Sequence, residues 1–145
     1  MAESNQYLSA QEQMAVKAAI ARAEKNTSGE IRVHIEAKCK EDALDRAAFI
    51  FEQLEMHKTE SRNGVLIYLA TQDHKLAILG DAGINAKVEN DFWKACTNHL
   101  IDQIKKDKMV SGLCETIIMA GEQLKTYFPY QTDDKNELSD EISFS

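Results

Sequence analysis

A carboxylate, Asp81, stands between two glycines in the stretch Gly80-Asp81-Ala82-Gly83, directly after an apolar run. Held in this way, it is either part of a solvated turn or part of a binding site. Strand ends also need polar, glycine-containing turns for purely structural reasons. The choice depends on which other polar residues the fold brings to the same place.

Hydrophobic periodicity predicts the elements that position Asp81. A capping-box pattern, Ser9-Ala10-Gln11-Glu12, starts the first helix. The four predicted helices cover approximately residues 10–25, 41–55, 88–104 and 113–128. The predicted strands cover residues 30–37, 65–70 and 76–79, and a short polar turn joins the last two as a hairpin.

This order of elements predicts an α/β fold, a three-layer αβα sandwich with a small mixed β-sheet flanked by about four helices. Residues 65–70 are apolar on both faces, which indicates a central strand covered by helices on both sides. We expect one domain over residues 1–130. Residues 131–145 are acidic, with little to bury, and predict a frayed, disordered tail.

The predicted topology brings three loops to one edge of the sheet. A strand-helix-strand unit over residues 30–70 makes its two strands parallel, so both begin at the same edge. The hairpin returns the third strand to that edge. Residues 27–30, 61–64 and 80–83 should therefore converge, with residues 89–91 of the next helix close by.

The side chains expected at this edge are rich in oxygen and poor in nitrogen. Carboxylates, amide oxygens and hydroxyls suit hard divalent cations such as Ca²⁺ or Mg²⁺. Clustered carboxylates would also repel one another without a cation. The candidate metal ligands are Asp81, Asp91, Glu30, Asn63 and Asn90. The alternative, that these are ordinary polar turns, remains open on spacing alone.

Other candidates for chemistry are weaker. His34 lies on the polar face of an alternating strand, where a solvated or packed ring is more common than a catalytic one. The remaining histidines form no pair at metal-ligand spacing. The sequence contains no GxSxG, HExxH, Walker A, GxGxxG or EF-hand pattern.

Composition restricts the classes of partner. The 145 residues are 43% hydrophobic and 28% charged, with a formal net charge of -7, which argues against nucleic acid as a partner. We expect no signal peptide, no membrane span and a cytoplasmic location. The three cysteines are widely spaced and predict reduced thiols.

The segments "SGEIRVHI", "RNGVLIYLA" and "LAILGDAGI" resemble the TPM domain family, in its short soluble bacterial branch, as do "KVENDFW" and "LKTYFPY". The resemblance covers residues of about 9–130. It implies an αβα sandwich with a Rossmann-like look, divalent-cation binding at the edge described above, calcium especially, and the acid phosphatase activity assigned to plant members. The family's acidic cluster would fall on Asp81 and on Asp91 or Asn90, and Glu30 and Asn63 complete the motif.

Two departures affect what carries over from the family. Many relatives have an aspartate before Asn-Gly, where this chain has Arg62. Many have Gly-x-Gly where this chain has Gly80-Asp81-Ala82-Gly83, so the family's next acidic position matches either Asn90 or Asp91. The loss of this carboxylate and the positive charge of Arg62 weaken the case for catalysis more than the case for ion binding.

Three functions follow from this reading. The first is a divalent-cation-binding module, with Ca²⁺ favoured over Mg²⁺. The second is metal-assisted hydrolysis of a small phosphate ester, in which Asp81 would attack or orient water and Arg62 would neutralise charge in the transition state. The third is a protein-interaction module that uses the acidic tail or a helix face.

Overall fold

The computed structural model describes residues 8–130 and 142–145. Its centre is a four-stranded mixed sheet in the order β3-β2-β1-β4. The strands are β1 (Glu30–Glu36), β2 (Gly64–Ala70), β3 (Lys75–Gly80) and β4 (Ser143–Phe144). β2 pairs parallel with β1 and antiparallel with β3, as the strand-helix-strand unit and the hairpin predict.

Five α-helices cover the sheet within the described residues. They are α1 (Ala10–Glu24), α2 (Ala43–Gln53), α3 (Ala82–Asn85), α4 (Phe92–Lys105) and α5 (Met109–Tyr127). The predicted capping box is present at the start of α1: the hydroxyl of Ser9 accepts from the backbone N–H of Glu12, whose carboxylate accepts from the N–H of Ser9. A short 3₁₀ turn, Met56–Lys58, follows α2.

β2 is buried along its whole length, which confirms its predicted central position. Its side chains alternate between two cores because successive residues of a strand point to opposite faces. Val65, Ile67 and Leu69 pack in the larger core with α1, α4 and α5, whereas Leu66 and Tyr68 pack in a smaller core with α2. The predicted αβα sandwich is confirmed.

Three features differ from the sequence-based expectation. α3 is a separate four-residue helix ahead of α4, where a single helix was expected to begin near residue 88. The polar face of β1 is mostly buried: Glu36 lies under Arg46 of α2, and His34 contacts the serine side chains of the neighbouring segment 143–145. Of the predicted tail, residues 131–141 lie outside the described residues, but residues 142–145 lie against the edge of β1, with β4 as the fourth strand.

All three cysteines carry free thiols, as the spacing predicts. Within the described residues, no helix combines the length and the apolar character that a bilayer-spanning segment needs.

Candidate functional site

Two loops cross at the edge of the sheet where β1 and β2 begin and β3 ends. One comprises residues 59–63, and the other is the segment 80–85, which leaves β3 and forms α3. The carbonyl of Arg62 accepts a hydrogen bond from the backbone N–H of Gly83 at 2.8 Å. A side-chain carbon at Gly83 would lie 2.1 Å from the carbonyl oxygen of Ser61, so only glycine permits this approach. We call this contact the loop crossing.

A third loop reaches the same edge from the end of α1. The side-chain amide of Asn63 donates to the hydroxyl of Ser28 at 3.3 Å, and the backbone N–H of Glu30 donates to the carbonyl of Asn63 at 3.4 Å. On the other side, the N–H of Asp81 donates to the carbonyl of Gly64 at 2.9 Å. The three segments that the sequence predicts to converge are therefore brought together.

Arg62 and Asp81 form a two-point ion pair at the loop crossing. Nε of Arg62 lies 2.7 Å from Oδ2 of Asp81, and its second guanidinium nitrogen lies 2.8 Å from Oδ1. Oδ1 also accepts from the backbone N–H of Ala82 at 2.8 Å. Burial alone would raise the pKa of Asp81, but these hydrogen bonds and the guanidinium charge outweigh it and lower the pKa. Asp81 is buried and ionised, while the side chain of Arg62 is half exposed.

The backbone at Arg62 is left-handed, with a φ of 51°. This conformation is uncommon for a residue other than glycine, and costs of order 1–3 kcal/mol when the surroundings impose it. The hydrogen bonds of its carbonyl and its side chain both hold it there. The residue is therefore fixed at the crossing by two kinds of contact.

A shallow cavity of about 180 Å³ opens beside this ion pair, between α2 and the end of β3. Arg62, Asp81, His57 and Glu52 supply its polar lining, and Phe51 is among its apolar residues. The sequence alone does not single out His57, because it has no histidine partner at ligand spacing. Its place in the cavity follows from the 3₁₀ turn, which no periodic pattern announces.

Buried polar atoms without a hydrogen-bond partner accumulate in the stretch that leads into β2. Within the described residues, Nδ1 of His57, Oγ1 of Thr59 and Oδ1 of Asn63 are of this kind. Asn63 is 1% exposed, so its free amide oxygen is fully removed from bulk solvent. A buried acceptor left in this state costs about 1–3 kcal/mol and calls for a water, an ion or a ligand as its partner.

The remaining predicted ligands differ in their burial. Glu30 is buried at the start of β1. Asn90 and Asp91 are exposed in the turn before α4, and the Asp91 side chain does not cap that helix. α4 is joined to α3 through Trp93, whose indole N–H donates to Oδ1 of Asn85 at 2.6 Å.

A profile of the TPM domain matches residues 1–123. The chain belongs to the TPM domain family. The structure is similar to the NMR structure of the BA42 protein from the psychrophilic bacterium Bizionia argentinensis, at a TM-score of 0.89 and 44% identity, with 100% of each chain covered.

The fold is also shared with the N-terminal domain of the cg2496 protein from Corynebacterium glutamicum. The TM-score is 0.66 at 11% identity, over 87% of this chain and 80% of that one. No curated protein matches the sequence.

Calcium or magnesium in this TPM domain would require hard oxygen ligands. Oδ1 of Asn63 fits, because it is a buried amide oxygen without a partner. Asp81 fits by type, but Arg62 already donates to both of its oxygens. Among the residues that the structure describes, no three His, Cys, Asp or Glu side chains are grouped as a metal would need. An ion at the crossing would therefore rely on amide and backbone oxygens beside Asp81.

A second polar cluster of the TPM domain was not found from the sequence. Glu36 accepts from the Tyr68 hydroxyl and, at 2.8 and 2.9 Å, from two nitrogens of Arg46. The cluster lies on the buried polar face of β1, under α2. In the sequence, Glu36 alternates with apolar residues along the strand. Such alternation is also typical of a solvated face, so it does not identify a buried cluster.

Proposed function

We propose that this TPM domain is a divalent-cation-binding module that holds Ca²⁺, with Mg²⁺ as the alternative, at the loop crossing. Asn63 and Asp81 would supply side-chain oxygens, and Glu30, Asn90 and Asp91 are the further candidates. The observation that supports this most directly is the buried amide oxygen of Asn63, which lacks a hydrogen-bond partner. The negative charge of the chain, -7, also favours cations over anions as ligands.

A bound cation would supply positive charge to Asp81 and a partner to the Asn63 oxygen. The two residues belong to different loops, and the loops already touch through the carbonyl of Arg62. Ion binding would therefore stabilise the crossing, because ligands that bind the native state alone raise the free energy of unfolding.

Arg62 would compete with a divalent cation for the Asp81 carboxylate. Its guanidinium already binds this carboxylate, and the positive charges of the guanidinium and the ion repel each other. The Arg62 side chain is 51% exposed, so it can leave Asp81 for solvent without crossing a packed core. We infer that the affinity for a cation depends on how readily Arg62 releases Asp81.

Metal-assisted hydrolysis of a phosphomonoester is the second candidate, because the cavity beside Asp81 also presents Arg62 and His57. An arginine fork suits a phosphate group. Against it, both oxygens of Asp81 are occupied and its pKa is lowered, so the carboxylate is a poor base. The test is turnover of an aryl phosphate: equal background rates for the wild type and Asp81→Asn exclude this function.

The binding proposal is tested by thermal unfolding with and without Ca²⁺. At about one hundred times the Kd, the ion should raise the free energy of unfolding by about 2.7 kcal/mol. Asp81→Asn should abolish the increase while the cation-free protein stays folded, since Asn also caps α3. Asp102→Asn, which removes an exposed carboxylate of α4, is the matched control and should respond as the wild type does. An equal response of the Asp81→Asn variant would contradict the proposal.

A further inference from the structure

The last residues of the chain lie along the outer edge of β1. β4 pairs parallel with β1, with His34 opposite Ser143 and Ile35 opposite Phe144. The backbone N–H of Ser145 donates to the carbonyl of Ile35 at 2.9 Å. Peptide-binding domains use the same contacts when an extended segment is added to a sheet edge.

The side chains of this segment alternate between two surfaces. Ile142 is 7% exposed and belongs to the larger core, and Phe144 packs against that core. Ser143 and Ser145 point to the opposite face, as positions two residues apart in a strand do. The segment is therefore held by apolar contacts on one face and by polar contacts on the other.

His34 contacts both serine hydroxyls. Its Nδ1 lies 2.7 Å from Oγ of Ser143, and its Nε2 lies 2.6 Å from Oγ of Ser145. A neutral imidazole has one donor and one acceptor nitrogen, so one hydroxyl accepts and the other donates. Burial lowers the pKa of His34 to about 4, which keeps the ring neutral near pH 7. These two contacts of His34 therefore favour a segment with the pattern Ser-x-Ser.

We propose that the edge of β1 is a peptide-binding site for an extended segment of the pattern apolar-Ser-apolar-Ser, added in the parallel direction. Residues 142–145 are its resident occupant, and a partner protein that carries the same pattern displaces them. The partner must compete with the resident segment, whose covalent link to the rest of the chain raises its effective concentration at this edge. This proposal is independent of the cation site, which lies at the end of β1 where the strand begins.

The test uses the full-length chain with Ile142→Asp, which removes the apolar anchor of the resident segment. An unlabelled synthetic peptide with the sequence of residues 140–145 is added to the isotope-labelled variant. The peptide should shift the backbone amides of residues 33–35 and the His34 ring signals in a saturable manner. A peptide with alanine at both serine positions should bind about thirtyfold more weakly, since it lacks both hydrogen bonds to His34.

Leu44→Asp is the matched control, because it introduces the same charge at an exposed apolar residue of α2 and leaves the resident segment in place. This variant should show at least tenfold weaker binding of the peptide than Ile142→Asp. The proposal is overturned if the Ile142→Asp variant fails to fold, because β4 is then an obligatory strand. It is also overturned if that variant folds without a peptide response, if both peptides bind equally, or if the wild type forms a strand-exchanged dimer at the same concentration.

Discussion

The guanidinium of Arg62 contacts both carboxylate oxygens of Asp81, at 2.7 and 2.8 Å, although the two residues belong to different loops. The pair joins the loops at the point where Gly83 also contacts the carbonyl of Arg62. The chain thus carries a positive charge of its own beside the proposed cation site.

Removing this charge should strengthen cation binding. Arg62→Ala frees both oxygens of Asp81 and ends the charge repulsion, so the Kd for Ca²⁺ should fall about tenfold, which corresponds to about 1.4 kcal/mol of binding free energy. Isothermal titration calorimetry measures the change. Arg22→Ala, at an exposed arginine of α1, should leave the Kd unchanged. Weaker binding by the Arg62→Ala variant would show that the arginine supports the ion instead of competing with it.

The close approach of the two loops depends on Gly83. A β-carbon there would lie 2.1 Å from the carbonyl oxygen of Ser61 and 2.6 Å from that of Arg62, both backbone atoms. Gly83→Ala should lower the free energy of unfolding by about 3 kcal/mol, measured by urea denaturation. Gly64→Ala is the milder comparison, with its nearest backbone atom at 3.3 Å. If the two variants lose equal stability, the crossing is not as tight as the distances require.

Stability should decline in mildly acidic solution because of His34. Burial lowers the folded-state pKa of this residue from 6.5 to about 4, while Glu36 raises it and Arg46 and Arg32 lower it. The native state therefore binds fewer protons than the unfolded state, and the stabilisation present above pH 6.5 is lost as the pH falls toward 4. The loss attributable to His34 is about 3 kcal/mol. In a pH series of urea melts, His34→Gln should show a flatter dependence over this range, and an unchanged slope would refute the assignment.

The fold should tolerate the buried charge of Glu36 only when Arg46 is present. Glu36 is 6% exposed, and its carboxylate accepts two hydrogen bonds from that guanidinium. Arg46→Met leaves a buried charge whose one remaining side-chain donor, among the described residues, is the Tyr68 hydroxyl, so the free energy of unfolding should fall by about 3 kcal/mol. Adding Glu36→Gln to that variant should restore part of the loss. Additive effects of the two substitutions in chemical denaturation would mean that the residues are not coupled.

The sequence predicts the elements that have a periodic pattern. β2 was identifiable because its run is apolar on both faces, and the hairpin to β3 because a short polar turn separates two apolar runs. β4 carries no such signal: it is two residues long, and its pairing partner lies more than one hundred residues away. Its formation depends on tertiary contacts that local patterns do not encode.

The convergence of the three loops at the candidate site also follows from topology, since parallel strands begin at one edge. The ion pair of Asp81 with Arg62 could not be predicted in the same way. Its partner, Arg62, is brought close by the return of the hairpin, and the left-handed backbone at Arg62 directs the contact. Similarly, the unpartnered oxygen of Asn63 is a property of the packed structure, because it depends on what surrounds that side chain.

A titration of the isotope-labelled full-length chain with Ca²⁺, and separately with Mg²⁺, tests the proposed cation site most directly when followed by amide NMR. Ion binding at the loop crossing should give saturable shifts for the backbone of residues 61–64 and 80–83, together with the side-chain NH₂ signals of Asn63, while α5 is unaffected. An absence of shifts at mM concentrations of both ions, or shifts confined to exposed carboxylates such as Asp102 and Glu122, would contradict it.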